Sequence, residues 1–302
     1  MSHRGPYLFS VTGGDSTASA KGSAFDRDTS LSWHPAIRCF YRARFTDGWS
    51  MGPGINSGVL LATAARALAR EIRLSSGRRL DPLSLNAYYF TPAMAGAAVV
   101  HAEALKLDGL VPTGEVTLRQ SGPYGKDREV LRVLGTFGDL TTSTDGSRST
   151  LSAPATAKSA QWVNSRGALL SRSPHASYLH HLDVYLDPEH TWRKAYNGGP
   201  GSRVLRGWIR LSDGRDPDLL MLLLACDAIP SSRSSGPAGA LCALQLSVHV
   251  HGHPEPGFLQ FRLTSTDLPG GYVKEDADIW DSTGHLVARS QKLAASPRMI
   301  HS

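Results

Sequence analysis

Apolar positions along the chain fall into two successive patterns of the same kind, a helix-like stretch followed by a run of strand-like alternation. After Trp49, the segment GPGINSGVLLATAARALAREIRLSSG opens at Asn56 or Ser57, whose side-chain oxygens can cap a helix, continues on Ala and Leu, and closes at Gly77. Its apolar face takes in Val59, Leu60, Ala62, Leu68 and Ile72, which is too broad for a surface helix and predicts a deeply covered one. Strand-like segments follow at Leu83–Phe90, Ala97–Leu107, Glu115–Gln120 and Val130–Phe137. The second pass begins with Asp216 as cap and Pro217 as first helical position for DLLMLLLACDAI, with Pro230 just beyond. Strands are then expected at Ala243–His251, Phe258–Ser265, Tyr272–Trp280 and His285–Ala294, the last two forming a hairpin around Asp281–Gly284.

Placing Leu85 on Leu246 also brings Gly96 onto Gly257, Val100 onto Phe261 and Leu61 onto Leu222, at a constant offset of 161 positions. The two passes therefore read as duplicates. Residues 11–32 and 141–160 are rich in Ser, Thr, Gly, Asp and Ala without hydrophobic period, and burial there cannot offset the entropy of ordering. The expected organisation is a disordered leader over 1–32, an N-terminal unit over 33–140, a linker over 141–160 and a C-terminal unit over 161–302.

An apolar fraction of 41% with 19% charged residues belongs to a globular chain. No apolar run approaches a membrane span, and Met1–Ser10 lacks the pattern of a secretory signal. Cys39, Cys226 and Cys242 cannot all pair and match no zinc spacing, which fits a reducing cytoplasm. The net charge of +6 comes from scattered basic residues rather than a stripe interleaved with aromatics, so nucleic acid is not the expected partner. A basic surface also suits a small phosphorylated ligand such as coenzyme A.

Six sequence stretches, three in each half, carry a resemblance. They are GPGINSGVLLATAARAL with DPLSLNAYYFTPAMAG and VTLRQSG in the first half, RGWIRLSDGRDPDLLMLLLACDAIP with LQLSVHVHG in the second, and IWDSTGHLVARSQKLA near the end. In order and spacing, from about Trp33 to Ala295, they are similar to the tandem-hotdog acyl-CoA thioesterases of the bacterial type II kind. The resemblance implies an α+β double hotdog, two antiparallel sheets each wrapped around a long helix and packed side by side. It also implies that an Asp at the end of the second helix, a hydroxyl residue on the next strand and a Gln on the last strand hold the attacking water.

Asp227 and Gln291 match the first and third of these positions, an acid to accept a proton from water and an amide to orient it. Read without the resemblance, Asp227 is a helix-end carboxylate with local hydrogen bonds, and apolar Leu286 and Ala288 leave the facing of Gln291 open. The hydroxyl position falls on Ala243, followed by Gln245, which departs from the family. Ser247 lies on the same strand face and is the candidate replacement. Trp49, Asn56, Gly58, Gln245 and His249 are the candidate substrate contacts, although Trp49, Asn56 and Gly58 equally fit the entry and cap of a buried helix. Arg66 stands where Asp227 stands in the other half, so one catalytic half is expected. His249, His251 and His253 alternate along a strand, but no metal and no cofactor is expected.

The function that follows is hydrolysis of an acyl thioester carried by coenzyme A or a carrier protein. The alternative is a non-hydrolytic relative that assists release, cyclisation or rearrangement of a polyketide- or fatty-acyl-like intermediate. A small-molecule acyl partner, no nucleic acid and no membrane complete the expectation; the oligomeric state is left open between a single chain whose paired halves cover each other's sheet edges and a homo-oligomer.

Overall fold

The computed structural model describes residues 22–33, 37–122, 126–141, 153, 163–172, 175–188, 203–229 and 241–295. Its helices are α1 (Ala24–Asp28), α2 (Ser57–Ser76), α3 (Arg166–Arg172) and α4 (Leu219–Ala228). The strands of the first half are β1 (Ser32–Trp33), β2 (Phe40–Phe45), β3 (Ser50–Met51), β4 (Gly54–Ile55), β5 (Asp81–Tyr89), β6 (Gly96–Lys106), β7 (Thr113–Ser121) and β8 (Asp127–Gly138). Those of the second are β9 (Val163–Asn164), β10 (Leu182–Leu186), β11 (Arg203–Leu211), β12 (Cys242–Val250), β13 (Leu259–Asp267), β14 (Tyr272–Trp280) and β15 (Leu286–Ala295).

Thirteen of these strands form one antiparallel sheet in the order β1-β2-β6-β7-β8-β5-β12-β15-β14-β13-β11-β10-β9. This corrects the expectation of two separate sheets. The halves are joined edge to edge by pairing of Ser84–Tyr88 with Gln245–His249, because each half has a free inner edge whose N–H and C=O groups find partners only in the other. Helix α2 packs against β5, β6, β7 and β8, while α4 packs against β12, β14, β15 and α2. Leu61, Leu85 and Val100 in one half and Leu222, Leu246 and Phe261 in the other are fully buried in a common core.

The register argues for duplication more strongly than the helix-and-strand pattern does. Asn86 pairs with Ser247, and the two are 161 residues apart, so the junction lies on the local two-fold relation implied by the sequence offset. The ladder shifts between Pro82 and Ser84 in β5, and at the positions 161 further on, between Ala243 and Gln245 in β12. A second shift between Leu118 and Arg119 recurs between Ile279 and Trp280. Gly96 and Gly257 both take positive φ, 134° and 114°, a region that an L side chain resists. Unrelated units would not share two bulges and a strained glycine in register.

Helix α2 opens on Asn56, whose Oδ1 accepts from Gly58 N–H at 3.0 Å and Val59 N–H at 3.3 Å, and closes on Gly77. Helix α4 is ten residues, not a long helix, and its cap is Asp218 rather than Asp216, with Oδ1 accepting from Met221 N–H at 2.9 Å. Its residues from Met221 to Ala228 are all buried, so it is apolar on every side except at Asp227.

A further difference concerns the expected leader. Residues 22–32 of the expected leader are folded: α1 buries Phe25 completely and sets it edge-on to Trp49 at 5.8 Å. The remainder of the leader, and all of the expected linker except Thr141 and Ala153, lie outside the described residues. No helix among the described residues is long and apolar enough to cross a membrane.

Candidate active site

The next-to-last residue of α4 is Asp227, 3% exposed. Its Oδ2 accepts from Ser57 Oγ–H at 2.6 Å and from Gly58 N–H at 3.0 Å, both at the first turn of α2. The partial positive charge at that helix N-terminus favours a carboxylate there. Its Oδ1 lies 3.3 Å from Lys292 Nζ on β15, and the same ammonium is 2.8 Å from Glu275 Oε2 on β14. Glu275 in turn accepts from Ser265 Oγ–H at 3.0 Å. Burial pulls Lys292 downward, but Glu275 and Asp227 outweigh it and hold its pKa above the usual lysine value.

Two phenols border the carboxylate. Tyr89 donates its O–H to the Ser57 carbonyl at 3.1 Å. Burial, reinforced by the negative charge of Asp227, drives the pKa of both Tyr89 and Tyr178 upward, so each remains a neutral hydrogen-bond donor. Gly58 owes its place to packing: a Cβ there would meet Leu224 O of α4 at 2.9 Å. Any side chain would part the two helices and withdraw the N–H from Asp227.

The sequence-predicted set is only partly assembled. Asp227, Asn56 and Gly58 come together. Gln291 does not, because it is exposed on the opposite face of β15, where its Nε2 donates to Asp276 Oδ1 at 3.0 Å. The residue that β15 turns toward Asp227 is its neighbour Lys292, since adjacent strand residues face opposite ways. Ser247 and Gln245 likewise belong to the face away from the helices: Gln245 Nε2 donates to Ser247 Oγ at 2.6 Å, and Ser247 donates to Asn86 Oδ1 at 2.7 Å. The hydroxyl beside Asp227 is supplied by Ser57 of the first half instead. His249 is exposed and pairs across the seam with Ser84.

Trp49 is fully buried, donates its indole N–H to Asp28 Oδ2 at 2.8 Å and stacks on His181 at 4.2 Å, which makes it an anchor for α1. No group of three or more His, Cys, Asp or Glu among the described residues is arranged to hold a metal ion.

Sequence reasoning missed Ser57 as more than a cap, and it missed Lys292, Glu275, Tyr89 and Tyr178. Inward Ala288 and Ala294 on β15 carry the signal for Lys292, because counting by two from either reaches 292 and not 291.

The equivalent place in the first half is a clamp of ion pairs. Arg66, 161 positions before Asp227, donates from Nη2 to Asp26 Oδ1 at 3.3 Å and to Thr29 Oγ1 at 3.1 Å. Asp218, the counterpart of Ser57, is bridged by Arg215 at 2.7 Å to the same Asp26, which Arg215 Nε meets at 2.7 Å. Helix α1 thus occupies the related site with charges of the opposite arrangement.

The cysteines do not offer a nucleophile. Burial pushes the Cys226 thiol up to about 12 and also raises Cys39 and Cys242. A carboxylate surrounded by donors, beside a hydroxyl and an ammonium in a dry setting, can take a proton from water and balance the charge that follows.

The chain is also similar to known proteins of one family. Residues 154–295 match the acyl-CoA thioesterase C-terminal domain, and residues 45–138 match the acyl-CoA thioesterase N-terminal domain. A candidate thioesterase II of Thermobifida fusca is 26% identical and superposes with a TM-score of 0.75, covering 91% of this chain and 98% of that one. An acyl-CoA thioesterase II of Mycobacterium marinum, 16% identical with a TM-score of 0.65 over 90% of this chain and 98% of its own, shares the fold. So does a hot dog-fold protein of Alicyclobacillus acidocaldarius, 18% identical with a TM-score of 0.75 over 91% and 98%. An uncharacterized protein of Mycobacterium tuberculosis is 24% identical over 280 residues, 87% of this chain and 93% of its own.

Proposed function

Because this chain belongs to the acyl-CoA thioesterase family, we propose that it hydrolyses an acyl thioester with water activated by Asp227. The observation that carries the reading is the convergence of Ser57 Oγ, the α2 N-terminus and Lys292 on one buried carboxylate at 2.6, 3.0 and 3.3 Å.

In this mechanism a water held between Asp227 and the Ser57 hydroxyl attacks the thioester carbonyl carbon while its proton passes to the carboxylate. The new C–O bond forms as the C–S bond breaks. The proton returns from Asp227 to the departing sulfur, giving a carboxylic acid and a thiol. Lys292 stays cationic throughout and offsets the negative charge that moves through the site, a role that the amide expected on this strand could fill only as a dipole. Neither half is sufficient, since the carboxylate and ammonium come from one and the hydroxyl and helix end from the other.

The test is release of free thiol from a panel of acyl-CoA substrates by the full chain and by Asp227→Asn. Loss of roughly 10²–10⁴-fold in kcat with the acyl-CoA still bound supports the carboxylate as base. An Asp227→Asn protein that turns over at the parent rate sinks it. Binding of the panel by the parent without thiol release would instead support the non-hydrolytic alternative.

A further inference from the structure

Away from Asp227, the C-terminal part of α2 forms one wall of a groove of about 420 Å³ lined by Ser30, Leu31, Arg66, Ala69, Arg70, Arg73, Arg79 and Leu80. Arg66, Arg70 and Arg73 recur at intervals of four and three along the helix and so project from one face, while Arg79 closes the groove from the segment beyond Gly77. Like charges at that spacing repel, which a helix surface ordinarily relieves with interleaved carboxylates. Here the lining contains none. Of these four arginines Asp26, which also pairs with Arg215, reaches only Arg66, and among the described residues no carboxylate pairs with Arg70, Arg73 or Arg79. Arg70 lies over the ring of Tyr41 at 5.7 Å, which steadies its guanidinium without neutralising it. Leu31, Ala69 and Leu80 supply an apolar floor.

We propose that this groove is a binding site for the diphosphate group of a small phosphorylated molecule, held by Arg70, Arg73 and Arg79 with Arg66 at its inner end. Guanidinium forks match phosphate oxygens two bonds at a time, and several such forks around one concavity select a polyanion over a single carboxylate. The volume is that of a small-molecule site. No aromatic residue lines it, which removes the stacking platform that single-stranded nucleic acid requires. The α2 rise places Arg73 about 22 Å along the axis from Gly58, so this site is separate from the carboxylate site and does not depend on the hydrolytic reading.

Calorimetric titration of the full chain with inorganic pyrophosphate tests it directly. The expected result is saturable one-to-one binding that weakens about tenfold or more in Arg73→Ala/Arg79→Ala, two exposed positions whose loss leaves the circular dichroism unchanged. Binding should also fall as salt rises from roughly 50 to 200 mM, and Asp227→Asn should bind as the parent does. Titrations with ADP and with desulfo-coenzyme A then distinguish a free nucleotide from a coenzyme as the source of the diphosphate, since the natural ligand should bind more tightly than pyrophosphate. Absence of saturable pyrophosphate binding, binding undiminished in the double variant, or tighter retention of a single-stranded oligonucleotide than of pyrophosphate would each overturn the assignment.

Discussion

At the scale of single residues, the site turns on which member of an adjacent pair faces inward. Lys292 sits between two buried carboxylates, Asp227 at 3.3 Å and Glu275 at 2.8 Å. Removing the cation leaves two buried negative groups without a counter-charge, with only the hydroxyls of Ser57 and Ser265 and the Gly58 N–H as donors, and a broken buried pair costs on the order of 3–5 kcal/mol. Lys292→Met is therefore expected to lower the unfolding free energy by that amount, read as a fall in the urea midpoint at unchanged slope, whereas Gln291→Met, which loses only an exposed contact with Asp276, should change that free energy by no more than about 0.5 kcal/mol. Asp227 stands out in the sequence as the one charged residue in an otherwise apolar helix, but its selection as a site residue came from the family resemblance. Ser57 does not stand out, since its partner is 170 residues away and a hydroxyl at a helix start reads locally as a cap. Ser247 misled for the complementary reason: strand parity groups it correctly with Gln245, but parity does not say which face of the sheet meets the helices.

At the scale of elements, the alternating and helical patterns located α2 and eight strands to within a few residues, β14 at both ends. Hydrophobic period is a local property and survives without knowledge of the partner. Among the strands overlooked, β2 and β11 lie ahead of their helices and find β6 and β13 only through long connections, although Tyr41, Ala43 and Phe45 do alternate inward. Helix α1 was invisible because five residues cannot hold a helix alone. It is held by Phe25, by Asp26 between Arg66 and Arg215, and by Asp28 on the indole of Trp49, which stacks on His181. Burial depresses the His181 pKa below its ordinary value near 6.5, more than neighbouring Asp28 and Asp213 restore it. As pH falls, the unfolded chain takes up this proton first, so the stability contributed by neutral His181 is present above about pH 6.5 and is lost as pH drops through the folded value. Melting temperature should decline between pH 7.5 and 5, and His181→Phe, which keeps the stack and removes the titration, should flatten that decline.

At the scale of the whole molecule, the seam between β5 and β12 and the close contact of α2 with α4 make the halves parts of one core. Urea unfolding is expected to be a single event: fluorescence of a chain retaining only Trp49 of its tryptophans and of one retaining only Trp280 should give coincident normalised curves about their own midpoints, each equal to the curve from far-ultraviolet circular dichroism. Two separated transitions would mean that the halves fold independently. The duplication itself was readable from a handful of matched residues. The single sheet was not, because whether two inner edges pair with each other is decided by backbone groups that every residue carries.

The exchange of Asp227 for Arg66 at matching positions has a consequence for how such a molecule can change. In an assembly of two identical copies, every substitution appears twice, and replacing the acid would have removed it from both related sites together. Covalent fusion lifts that constraint, leaving one copy free to take an ion-pair fastening to α1 while its sister keeps the buried carboxylate.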